Sequence, residues 1–357
     1  MAPNGAVGAV RACRNEHESS LVWNAGVPLR LFAATCGLAL LAGCGGSTDD
    51  LAPAAEPAVS PALERRAEGR SLPIGNKPEG LVADARTRLL AVGLTNPDAL
   101  ALVNMDTLKT VRRIPMPESP RHLRLAGPGG PVLVPAEKSD ELVEVFLPDG
   151  RTRSTPVGAY PHDAASDGRG RVFVGDEMGD TMTVLEEGRR VGRVSAPVQP
   201  GGVVATAGGD RVAVVGVSER ALELFDAATL RSLGKIDVGV GPTHVVNRGR
   251  RLFVVDTRGD SLLEVRPDPE LRVHRRTALP GAPYGVAYDS ARRRFWVTLT
   301  ERNQVVELTD RRRLRVFPTV RQPNTVAVDS KTGRVFIASR KDGTLQYFDP
   351  PPYVKGR

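Results

Sequence analysis

A proline followed by small or polar residues and then an apolar run recurs at Pro78, Pro120, Pro161, Pro200, Pro242, Pro283 and Pro323, at intervals of 39 to 42 residues. A period of this length is the strongest constraint in the chain, because a unit so short cannot bury its apolar face alone and must stack on its neighbours. Each unit parses alike. An apolar strand (Leu81–Ala83, Val203–Ala205, Val326–Val328) is followed by a Gly/Asp/Asn turn such as Asp167–Gly170 or Asp329–Gly333. A second strand follows (Leu89–Val92, Val172–Val174, Val335–Ala338), then a polar loop and a third, alternating strand such as Val305–Leu308. Another turn and a fourth strand close the unit. Four short strands in about 40 residues mark a propeller blade, so seven units predict an all-β, seven-bladed β-propeller over residues 70–350. Helical periodicity is absent. Aromatic residues make up only 4% of the chain, which leaves Val, Leu, Ile and Ala to build the pleated core.

The ring must also close. The seventh unit stops after its third strand, at Tyr347–Asp349, and runs into Pro350–Pro352. Ser71–Gly75, just before the first repeat, resembles the fourth-strand ends Lys235–Gly239 and Ser154–Gly158. It is expected to complete blade seven, since an unlatched ring would leave open sheet edges. Residues 351–357 are left as a tail.

The stretches Ala99–Pro115, Ala221–Gly239 and Pro323–Asp349 share a Val-rich second strand, a polar loop, a strand ending in Asp, then Thr-Leu and a return to Val-Gly-x-Pro. These residues resemble the YVTN-repeat (YncE-like) propeller family over roughly residues 70–350. The resemblance implies the fold and no particular activity, because such propellers host many roles. The second-strand motif is never a literal Tyr-Val-Thr-Asn, and blade two is rich in Pro and Gly at Gly127–Pro131.

Ahead of the repeats, Leu31–Leu41 is an apolar run behind Arg30, too short to span a bilayer and suited to the core of a signal peptide. It ends in Leu41-Ala42-Gly43-Cys44, which resembles the bacterial lipobox. Residues 1–43 therefore read as a leader and Cys44 as the lipidation site. Residues 44–69, polar and then rich in Ala, Pro and Glu, read as a flexible tether. Cys13, Cys36 and Cys44 are the only cysteines, which excludes a disulfide framework or a Cys-based metal site in the repeats. The expected address is the cell envelope, on the extracytoplasmic face of a membrane reached through the lipid. The net charge is +8, yet the basic residues are scattered and no basic stripe with interleaved aromatics exists, so nucleic acid is not an expected partner. A monomer is expected.

Strand order places the two residues after each repeat proline at the mouth of the central channel. Among these the ligand candidates are Glu79, Arg121, His122, His162, Asp163, His244, Tyr284 and Asn324. The loops between second and third strands add Asp140, Asp176, Glu177, Asp256 and Glu301 to the same rim. His122, His162 and His244 share one register, and imidazoles from different blades can converge on a divalent metal ion completed by Asp176 or Asp256. For these two acids, however, capping a turn is the commoner role of an Asp after a strand. Pro161-His162-Asp163 with Gly170–Gly175 also resembles, more weakly, the Pro-His-Gly repeats of streptogramin-lyase propellers, which implies a metal and a histidine base, here His162 or His244. No Gly-x-Ser-x-Gly, phosphate loop or His-Glu pair at helical spacing is present. The reading is a non-catalytic, cofactor-free module binding an extracytoplasmic protein, glycan or small ligand. The alternative is a metal-dependent lyase or lactonase at the channel mouth.

Overall fold

The computed structural model describes residue 51 and residues 53–352. Its strands form seven four-stranded antiparallel sheets, six of them taken consecutively from the chain. Blade one runs from Leu81–Asp84 through Leu89–Leu94 and Ala99–Asn104 to Thr110–Pro115. The seventh sheet combines Pro323–Val328, Val335–Ser339 and Thr344–Phe348 with Arg70–Pro73. Arg70 pairs with Tyr347 and Pro73 with Thr344, so the N-terminal strand completes the last blade as the repeat count requires. The expected all-β seven-bladed propeller is the fold, with only two single-turn 3-10 segments, Glu137–Ser139 and Thr300–Arg302, among the described residues.

Apolar side chains fill the seams between blades. Val204, Ala213, Val215 and Leu224 of blade four pack against Val245, Leu252, Val254 and Leu263 of blade five. Across the closing seam, Phe336, Ala338 and Leu345 pack against Leu90, Val92 and Ala101, with Ile74 of the latch segment among them. Outermost strands such as Thr110–Pro115 and Arg272–Ala278 are largely exposed and rich in Arg. Several of these arginines reach back to a buried glutamate on the third strand, Arg153 to Glu144 and Arg315 to Glu307, at 2.7 and 2.6 Å. Charge on an edge strand blocks sheet-to-sheet association, and the pairing explains a basic composition without a basic ligand.

The inner strands carry a second instruction. Their ladders slip just after the repeat proline, between Pro161 and Asp163, Pro200 and Gly202, Pro242 and Val245, Pro283 and Val286, and Pro323 and Thr325. A β-bulge frees one or two residues from pairing and re-aims their side chains. In blades three to seven this releases residues after the proline from the ladder, whereas in blades one and two the inner strand begins only at Leu81 and Arg124.

Residues 53–69 differ from their reading as a flexible tether. Ala55 and Ser60 are buried, and the segment is hydrogen-bonded to the rim of the ring up to Glu68, whose N–H donates to Pro318 O at 2.9 Å. Composition alone could not show this, because the partners are side chains on distant blades. Cys44 and the leader lie outside the described residues. No helix among the described residues is long and apolar enough to cross a membrane.

Ile74 links the latch to the core of the closing seam, so Ile74→Ala should destabilise the fold by about 2–4 kcal/mol in urea titration, whereas Val111→Ala on an exposed outer strand should shift it by about 0.5 kcal/mol or less.

Candidate functional site

The residues after the repeat prolines gather three imidazoles: bulges release His162 and His244, while His122 precedes the short inner strand Arg124–Leu125. The ring centroids of His122 and His162 lie 4.1 Å apart and those of His122 and His244 5.1 Å apart, with Tyr284 edge-on to His244 at 4.7 Å. Blades two, three, five and six therefore contribute, while blade four offers only Gly201 and Gly202, as its sequence indicates. His274 stands apart on the outer strand Arg272–Ala278.

Two carboxylates join the cluster. His162 Nδ1 lies 2.9 Å from Glu177 Oε2 and 3.4 Å from Glu137 Oε1. Burial opposes a charge on His162, but the two carboxylates outweigh it and hold its pKa up at about 9. The other two imidazoles go the opposite way. Burial, reinforced by the neighbouring His162 charge, drives His122 well below the ordinary range, and burial takes His244 down to about 3. Burial also pushes the Tyr284 phenol up. At neutral pH the site thus holds one imidazolium and two neutral imidazoles. Nε2 of both His122 and His244 is shut off from solvent with no hydrogen-bond partner in the protein.

Glu137 is the residue that sequence reasoning missed. It follows the second strand of blade two, as Glu177 follows that of blade three. The same register holds Thr95, Val217, Thr257, Thr300 and Arg340. Counting from strand ends would have found it, but the 3-10 turn at Glu137–Ser139 displaces attention to Asp140.

Asp163, expected to face a ligand, is a buried strut instead. Its carboxylate accepts from Arg124 Nε at 3.1 Å and Nη2 at 2.9 Å, and from the backbone of Val203 at 2.9 Å and Ala164 at 2.9 Å. Arg124 Nη2 also donates to Val245 O of blade five at 2.8 Å. Asp176 and Asp256, suggested as metal ligands, are fully buried and committed elsewhere. Asp176 accepts from Gly158 N and from the Thr181 and Thr183 hydroxyls at 2.7–2.9 Å. Asp256 accepts from Val240 N and Gly241 N at 3.0 and 2.9 Å and from Arg276 at 3.0 Å. Both anchor turns, and neither joins the histidines.

Glu79 and Asn324 meet at the closing seam. Asn324 Nδ2 donates to Glu79 Oε1 at 3.0 Å, and Arg340 pairs with the other carboxylate oxygen. Arg121 bridges from Glu79 at 3.6 Å to Glu137 at 3.4 Å and so connects this seam to the cluster. Below the imidazoles a cavity of about 300 Å³ runs down the axis, lined by half-buried residues of the inner strands including Val82, Asn247, Tyr288 and Val328.

His122, Glu137 and His162 each offer a donor atom, and these lie within 4.8 Å of one another. One borderline divalent ion fits such an N,O,N set. The His162 proton and the adjacent Arg121 oppose it, since a ligating imidazole must be neutral.

No protein-family model matches the chain, and no curated protein matches it in sequence. Among solved structures it is similar to a streptogramin B lyase, with TM-score 0.67 and 12% identity over 78% of this chain and 96% of that one. It is similar to virginiamycin B lyase from Staphylococcus aureus, with TM-score 0.65 and 12% identity over 77% and 97%. It is equally similar in fold to the Cps50 (Swd1) β-propeller domain of Myceliophteria thermophila, with TM-score 0.68 and 13% identity over 79% and 100%. Identities this low carry the propeller fold and nothing about the site.

Removing Asp163 should leave Arg124 without its counter-charge. With Arg124 still 26% exposed, Asp163→Ala should cost toward the lower end of roughly 3–5 kcal/mol in chemical denaturation. His162 titrates above its unfolded value of 6.5, so its contribution is complete below pH 6.5 and disappears as pH rises through about 9. Stability should fall by up to roughly 3 kcal/mol across that window, a loss absent from His162→Gln. Denaturation midpoints at a series of pH values will show it.

Proposed function

We propose that this chain is a lipid-anchored propeller of the cell envelope, held through Cys44, that binds a small ligand on the axis of its ring without transforming it. The sequence Leu41–Cys44 behind an apolar run supports the anchor. One observation carries the binding site: two neutral, half-buried imidazoles line the head of the axial channel, and their Nε2 atoms have no hydrogen-bond partner in the protein. A buried polar atom without a protein partner calls for a ligand or an ordered water. Inward-facing imidazoles suit a small polar molecule better than a protein or glycan surface, since only a small molecule can fill a channel of about 300 Å³. The residues that bind it are His122 and His244, with Tyr284 packed against His244. His162, Glu137, Glu177 and Arg121 form the charged wall beside them.

The second reading, a metal-dependent lyase or lactonase, is favoured by the proximity of His122, Glu137 and His162. There an ion would polarise the substrate oxygen, and neutral His244 would be the group able to accept a proton.

Elemental analysis of the purified chain, before and after chelation, separates the two. The binding reading expects no stoichiometric divalent ion and a melting temperature unmoved by chelator. About one ion per chain, lost when His122, His162 and His244 are all replaced by Ala, would favour the lyase reading instead.

A further inference from the structure

The rim that carries the imidazoles is covered by the chain itself. Arg258, on the loop between the second and third strands of blade five, donates from Nη1 to Pro53 O and from Nη2 to Ala54 O, both at 2.8 Å. Farther along, Ser60 Oγ donates to Thr300 O of blade six at 2.6 Å and accepts from Gln322 N at 3.0 Å. Gln322 Nε2 returns a bond to Ala58 O at 2.9 Å, and Asn303 Nδ2 donates to Pro61 O at 3.1 Å. Between these anchors, Ala54, Ala55 and Glu56 roof a hollow of about 20 Å³ whose floor includes Arg121, His162, Glu177, Val217 and Tyr284. A space of that size holds about one water molecule and no substrate.

We propose that residues 53–61 are a lid, closed in this structure, which seals the rim-side approach to His162 and Glu177 and must lift for a ligand to reach them from that face. Three features support an element that opens on its own. Its anchors are a few polar bonds from side chains, and it pairs with no strand. Its apolar burial is slight, Ala55 being buried while Val59 is 89% exposed. A segment held this way opens at far lower free energy than the blades beneath it. Glu56, moreover, lines a second hollow beside Arg121 with Lys77, Lys341, Arg340 and the Glu79 that pairs with Arg340, so the closed lid adds a second carboxylate among these basic groups. An anionic ligand would compete for that position.

The channel reaches His122 and His244 along the axis from below, but His162 belongs only to the roofed hollow. The lid thus separates two approaches to one cluster, whether or not a metal binds there.

Single thiols test this in the full chain with Cys13, Cys36 and Cys44 replaced by Ser. Val217→Cys places a thiol under the lid, at a residue 6% exposed, and Met178→Cys places one on the same rim at a residue 61% exposed. An aromatic disulfide reagent should label the first roughly a hundredfold more slowly than the second. Adding Arg258→Ala and Ser60→Ala should speed labelling of Val217→Cys roughly tenfold or more while leaving Met178→Cys unchanged. Val214→Cys, in the core of the same blade, should stay unreactive throughout. Equal rates with the lid intact, no acceleration on loosening it, or an equal gain at Val214→Cys would each overturn the proposal.

Discussion

The site depends on one ion pair. Arg124 and Asp163 join blades two and three by two parallel hydrogen bonds, and each then reaches further. Asp163 accepts from Val203 of blade four, and Arg124 donates to Val245 of blade five. Four blades are thereby tied at the axis. Each imidazole sits next to a member of this node in sequence: His122 two residues before Arg124, His162 beside Asp163, and His244 beside Val245. A charged strut in this position fixes spacing as well as stability, because a bidentate arginine–carboxylate pair tolerates little rotation.

The period that builds the ring also aims the site, through the offset of each residue from its repeat proline and the slip in the inner ladders of blades three to seven. That coupling is why the histidines were legible in the sequence: a residue's offset from its repeat proline states whether it faces the channel. Roles were less legible than places. Asp163 has the right offset yet turns sideways to Arg124, a partner on the neighbouring blade that no single repeat can reveal. Asp176 and Asp256 were read as ligands or as turn caps, and the structure makes them turn anchors because N–H groups of the loop leading into each blade's inner strand, Gly158 and Val240–Gly241, donate to them. Glu137 went unnoticed because its importance comes from His162, a residue of the next blade. The segment 53–69 was misread for a related reason: Ala and Pro show nothing of Arg258, Thr300 and Gln322, which hold it.

Seven similar blades would give a symmetric mouth, and symmetry gives no preferred place for charge. Here the symmetry is broken on one side. Blades two and three supply both carboxylates, which draw the single positive charge of the three imidazoles to His162. The positive charge so fixed helps to keep His122 neutral. The three imidazoles therefore differ in protonation although they share a register. A neutral imidazole with a free nitrogen can accept or donate a single hydrogen bond, whereas the imidazolium between two carboxylates is occupied.

The same pairing logic governs the outside of the ring. Arginines on the outer strands are drawn to glutamates of the third strands or, for Arg276, to Asp256, and those on the rim to Glu79 and the lid carbonyls. A net positive charge distributed in this way has few free ends with which to grip a polyanion. The rim beside Arg121 follows the same rule: Lys77, Arg340 and Lys341 share a hollow with Glu79, which pairs with Arg340 and Arg121, and with Glu56 of the lid. The chain's own carboxylates, Glu79 and Glu56, therefore line this hollow in the closed state. An intramolecular carboxylate has a high effective concentration, so an external anion must either bind more tightly than Glu56 or arrive when the lid is already raised.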